Sequence, residues 1–120
     1  MEREYTPARA RDLLKSGYAE VDLALVEFLA RYTGTPVKWD LASFFALNPG
    51  VRDSAAGLAT RVGRSEMVVR RELDDLALLG LLRRGQAAVY SLGNDPRVRE
   101  GLGRFRAALE RQASGERRRR

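Results

Sequence analysis

The chain has 120 residues, 44% hydrophobic and 32% charged, with a net charge of +6. That is the balance of one globular domain with a modest core rather than of a disordered chain. Cysteine and histidine are both absent, which excludes disulfides, thiol chemistry, a zinc site of the usual kind and a thiol–imidazole pair. No apolar run approaches the ~20 residues that span a bilayer.

At the N-terminus, MEREYTPARA lacks the apolar core of a signal peptide, so a cytoplasmic protein is expected. Thr6 and Pro7 make a helix start with proline at the first helical position. Ala10, Leu13 and Leu14 form its apolar face and Gly17 its stop. A second helix is predicted over residues 19–32, with Val21, Leu25, Phe28, Leu29 and Tyr32 on one side. Leu23 and Val26 widen that side, and Gly34, Thr35 and Pro36 break the helix. A third is predicted over residues 38–47, rich in large apolar side chains (Trp39, Leu41, Phe44, Phe45, Leu47) and ended by Asn48, Pro49 and Gly50. The rings of Tyr18, Phe28, Tyr32, Trp39, Phe44 and Phe45 read as core ahead of an effector pocket.

Residues 53–92 carry the strongest signal. Asp53 or Ser54 caps a helix in which Ala55, Leu58, Ala59 and Val62 recur at three and four residues. Gly63 suits a left-handed stop, Arg64 lies in the turn, and Ser65 caps the next helix. The join is about three residues, as a helix-turn-helix requires. In the second helix, Val69, Leu73, Leu76 and Leu79 form a stripe at helical period. Glu66, Met67, Val68, Arg70 and Arg71 lie on the other face of its first two turns. Gly80 ends it. Leu81 and Leu82 start a strand, residues 83–86 form a polar tip, and residues 87–92 return. Helix, turn, helix and hairpin in this order place one helix in a DNA major groove.

The segment resembles the winged helix-turn-helix of bacterial and archaeal transcription regulators, and is similar to the arsenic-repressor and multiple-antibiotic-resistance-repressor groups. The matching residues are Ser54, Leu58, Ala59, Gly63, Ser65, Val69, Leu73, Leu76, Gly80 and Leu81, with Arg83 and Arg84 ahead of a wing ending at Leu92. FFALNPG, residues 44–50, resembles the first core helix and its exit. The resemblance covers about residues 39–92, under half of the chain. It implies repressor-like action. Without cysteine or histidine, a metal-sensing version is disfavoured.

The expected fold is therefore mainly α: a winged helix-turn-helix with a small β-hairpin wing and extra N- and C-terminal helices. One domain, residues 1–113, divides into a helical extension (1–37), a winged core (38–92) and a C-terminal helix (95–113). That helix is capped by Asn94 or Asp95, with Pro96 first and Val98, Leu102, Phe105 and Leu109 at helical spacing. Its stripe is expected to pack on the N-terminal helices of a second copy, giving a two-fold homodimer. Residues 114–120 (SGERRRR within the chain's end) are expected to be a disordered basic tail.

Charge is uneven. Residues 1–51 hold six basic and seven acidic side chains, net −1, and residues 52–84 hold seven and five, net +2. Residues 97–120 hold nine and three, net +6. The expected function is a regulator binding double-stranded DNA, with no cofactor, no metal and no enzymatic activity. The second helix would enter the major groove, and the candidate contacts are Arg52, Ser54, Arg61, Arg64, Ser65, Glu66, Met67, Arg70, Arg71, Arg83, Arg84 and Gln86. Arg70 and Arg71 can instead pair with Glu66, Asp74 or Asp75 across a helical turn. Of Arg83 and Arg84, strand alternation lets only one face DNA. The acidic and apolar start of the second helix favours an alternative, a protein-interaction module in a transcription or chromosome-organising complex.

Overall fold

A computed structural model describes residues 22–118. The helix expected near residues 6–17 and the ring of Tyr18 lie outside them. The described chain is mainly helical, with a small three-stranded antiparallel sheet. In chain order the elements are α1 (Leu23–Tyr32), α2 (Pro36–Leu47), β1 (Asp53–Ser54), α3 (Ala55–Val62), α4 (Glu66–Leu78), β2 (Leu82–Arg84), β3 (Val89–Leu92) and α5 (Pro96–Arg118). Among the described residues no helix is long and apolar enough to cross a membrane.

Local chemistry sets the helix ends. Asp22 accepts from the Leu25 N–H at the start of α1. Thr35 accepts from the Lys38 N–H, so α2 begins with Pro36 in its first turn, two residues ahead of the expected start. Ser54 and Ser65 accept from Gly57 and Val68 at the starts of α3 and α4. Gly63 closes α3 with φ +72°, a conformation that costs glycine little, and its N–H returns to the Ala59 carbonyl.

The core sits where α2, α3 and α4 meet, and it extends over α1 and α5. Leu41, Phe45, Leu58, Val69, Leu73, Leu76 and Leu81 have no solvent exposure. Sheet order is β1-β3-β2, with Asp53 opposite Tyr90 and Leu82 opposite Leu92. β1 was not expected: two residues carry no periodicity, and Asp53 and Ser54 read only as a cap. The hairpin also turns later than expected. Arg83 and Arg84 lie in β2, and the tip is residues 85–88.

The C-terminal helix departs from expectation twice. Its stripe packs on this chain's own α1 and α2, where the helices of a second copy were expected. Phe105 is fully buried, with its ring centroid 5.3 Å from Phe28 and 5.2 Å from Trp39. Gly101 permits this closeness, since a Cβ there would come within 2.9 Å of the Phe28 ring. The helix also continues through residues 114–118, where a disordered tail was expected.

One ionic group links α2 to α4. Lys38 lies 3.1 Å from Glu72 and 2.6 Å from Asp75, and the Thr35 hydroxyl donates to Glu72. The Lys38 and Glu72 side chains are only 12% and 14% exposed. Burial works against the charge on Lys38, but the two carboxylates outweigh it and hold its pKa above the ordinary 10.5.

Two predictions follow from this packing. Gly101→Ala forces a methyl against a ring held between Tyr32 and Phe105, and overpacking outweighs the helix-propensity gain, for a net loss of about 1–2 kcal/mol. Gly103, on the same helix with open space at its Cβ position, is the control: Gly103→Ala gains up to ~1 kcal/mol. Urea unfolding of both variants measures the difference, and equal changes would contradict the packing. Lys38→Met strands Glu72 and costs about 3 kcal/mol at neutral pH. A raised lysine pKa stabilises fully below 10.5 and is lost as pH climbs through the folded-state value, so the gap to wild type should narrow in alkaline titrations.

Candidate nucleic-acid interface

The candidate surface is built from the turn at residues 63–65, the first two turns of α4 and the β2–β3 hairpin. Val69, Leu73 and Leu76 face the core, which turns Met67, Arg71 and Leu78 directly outward. Ser65, Glu66, Met67, Val68, Arg70 and Arg71 are all exposed, Met67 at 77%. The adjoining hairpin is tied to α4 by Tyr90, whose hydroxyl donates to Asp74 at 2.5 Å. Its turn is closed by the Gly85 N–H on the Val89 carbonyl. Ala87 and Ala88 take positive φ (57° and 53°) at the exposed tip beside Gln86.

Arginines dominate this surface, but most hold carboxylates. Arg61 donates from Nε to Asp53 at 3.1 Å, with its guanidinium 5.9 Å from the Phe44 ring centroid. Arg64 donates from Nε to Asp40 at 2.6 Å. Arg70 donates from Nη2 to Glu66 at 2.6 Å, the within-helix pairing that spacing permitted. Arg84 lies 3.6 Å from Asp74 and 5.8 Å from the Tyr90 ring centroid. Arg52, Arg71 and Arg83 are exposed and have no ion pair among the described residues. Alternation along β2 separates Arg83 from Arg84, which turns towards α4.

Asp53 shows how closely these pairs are built in. Its carboxylate accepts from the Ser54 N–H at 2.8 Å and folds over Gly57, where a Cβ would sit 2.2 Å from Oδ2. The backbone N–H of Ser54, then Arg61, hold its carboxyl below the ordinary carboxylate value. Ser54 and Ser65 both spend a lone pair on capping, so their sequence-predicted role as contacts is shared with a structural one. Sequence reasoning missed Asp40 and Asp53 as partners, and gave Asp74 to Arg70 or Arg71 rather than to Arg84. Asp40 stands 24 residues from Arg64, and no periodic pattern reaches that far. Among the described residues there is no group of three metal-ligating side chains.

Tyr90 offers a measurable anchor. Burial, then the Asp74 carboxylate, push its pKa above 10.0. Its contribution is therefore intact below pH 10.0 and lost as pH rises through the folded-state value. Tyr90→Phe should cost about 1 kcal/mol at pH 7, read by urea unfolding, and should weaken the alkaline loss. An unchanged midpoint would mean that the hydroxyl does not hold the hairpin. Comparison with protein-family models, with curated proteins and with solved structures finds no match to this chain.

Proposed function

We propose that the chain is a winged helix-turn-helix DNA-binding regulator, with α4 entering the major groove and the β2–β3 hairpin as its wing. The observation that carries this reading is the uncovered outward surface of the first two turns of α4, beside an exposed hairpin. A helix is ~10–12 Å across with its side chains, and the major groove is about 12 Å wide. Residues near the N-terminus of such a helix are the ones that reach base edges. Arg71, Arg83 and Arg52, which hold no carboxylate among the described residues, supply the phosphate contacts. Two copies on a pseudo-palindrome would set their α4 helices about 34 Å apart. The dimer now draws support from exposed apolar side chains such as Leu23 rather than from the stripe of α5, which is already covered.

A second reading has its own observation. Met67 and Leu78, 77% and 86% exposed, share the outward face of α4, and four arginines are neutralised within the chain. Both facts suit a face for a partner protein.

Duplex binding under a salt titration separates the two. Three phosphate contacts give a slope of roughly −3 in log affinity against log salt. Arg71→Glu with Arg83→Glu should lower affinity at least ~10-fold, since each charge reversal removes an attraction and adds a repulsion. The thermal midpoint should hold, because both side chains are exposed. Absence of binding at low salt, or affinity unmoved by the double variant, favours the partner-protein reading.

A further inference from the structure

The ion pairs on the candidate surface are not alike. Arg61 with Asp53, Arg64 with Asp40 and Arg84 with Asp74 each join different elements of the fold. Glu66 and Arg70 lie within one helix and join nothing. Their side chains are 48% and 57% exposed, so water screens the pair and it adds little to the helix. Folding therefore gains only modestly from a carboxylate at the first position of α4, through this pair and through the positive end of the helix dipole.

That position is where a helix end meets base edges, and a carboxylate there is selective. Phosphates repel it. Cytosine N4 and adenine N6 both offer an amino donor that a carboxylate accepts from, but only cytosine is paired with guanine, whose O6 and N7 suit arginine. Glu66 and Arg70 already stand together at 2.6 Å, an acceptor beside a donor. Met67, 77% exposed, flanks them and would exclude water from the contact.

We propose that Glu66 and Arg70 act as one reading unit, making this chain selective for duplex DNA with a C·G pair at the contacted position. Glu66 accepts from the cytosine N4 amino group, and Arg70 turns from Glu66 to the guanine edge. At an A·T pair adenine N6 can meet Glu66 but no guanine edge takes Arg70, so Arg70 stays on Glu66, Glu66 opposes the phosphates, and such sequences are penalised. The inference rests on the DNA-binding reading above, and concerns which duplexes are chosen.

The test uses the full chain and a pool of randomised duplexes, with fluorescence anisotropy on the selected and unselected DNA. The wild type should enrich a C·G pair at one position. Glu66→Gln should lose preference there by about tenfold, within the range of one base-edge pair. It should also bind unselected duplex more tightly, with a salt slope steeper by about one contact as Arg70 is freed. Its thermal midpoint should fall by a few degrees at most, the share of one exposed pair and the helix dipole, and a larger fall would mark a folding role instead. A uniform affinity change across all sequences, with the selected site intact, would overturn the reading unit and leave DNA binding standing. Failure of the wild type to bind any duplex at low salt would overturn the DNA-binding reading itself.

Discussion

The rotation of α4 about its own axis is the constraint on which the rest depends, and three buried side chains set it. Val69, Leu73 and Leu76 are fully removed from solvent against α2 and α3. A turn of one residue, about 100°, would drive Arg70 or Asp74 into that core and leave an uncompensated charge there. Polar groups fix the same angle from both flanks. Glu72 and Asp75 bind Lys38 of α2 on one side, and Asp74 takes the Tyr90 hydroxyl on the other. The C-terminal half of α4 is thereby committed to holding the fold on three sides, whereas in the first two turns only Val69 is buried and Glu66, Met67, Arg70 and Arg71 are left facing outward.

This division also explains an electrostatic oddity. Glu72, Asp74 and Asp75 crowd the half of α4 where the helix dipole is negative, which is unfavourable in isolation. Lys38 and Arg84, supplied by other elements, offset it. Net charge is thus a poor guide to this surface. Residues 52–84 carry seven basic side chains, yet four of those arginines meet a carboxylate, and attraction to a polyanion is carried by the few that do not. Much of the chain's excess positive charge lies in residues 97–120 instead. There too Arg104 and Arg106 are paired, with Asp22 and Glu110.

What could be read from sequence was what is decided within a few residues. Ser54, Gly63 and Ser65 act on neighbours three or four positions away, so the α3–turn–α4 unit was legible to the residue. The hairpin was legible in outline only. Its tip relies on Ala87 and Ala88 at positive φ, and alanine gives no signal for that conformation where glycine or asparagine would. The stripe on α5 was found, but a stripe does not say which chain will cover it. That answer lay in Phe28, Trp39 and the missing side chain of Gly101, and no local pattern joins residues that far apart along the chain. The end of α5 was missed because a stripe marks where a helix packs and not where it stops. For the site, types and positions were legible, whereas the pairing of Arg61, Arg64 and Arg84 depended on tertiary contacts.

The exposed apolar residues of α4 weigh less for a partner protein than their exposure suggests. Met67 and Leu78 share a face, but eleven residues of helix separate them by about 16 Å. Arg71 and Asp74 stand on the face between them. Met67 and Val68 at one end and Leu78 at the other, with charges between them, do not make the contiguous patch that marks a protein-docking surface. The N-terminal end, where Met67 adjoins Glu66, Arg70 and Arg71, has the mixed character of a surface that meets both phosphates and base edges: charge for the backbone, an apolar side chain and paired donors and acceptors for the groove. This balance on the first two turns of α4 favours the proposed DNA-binding reading over the partner-protein one, with Leu78 left as a single exposed side chain at the far end.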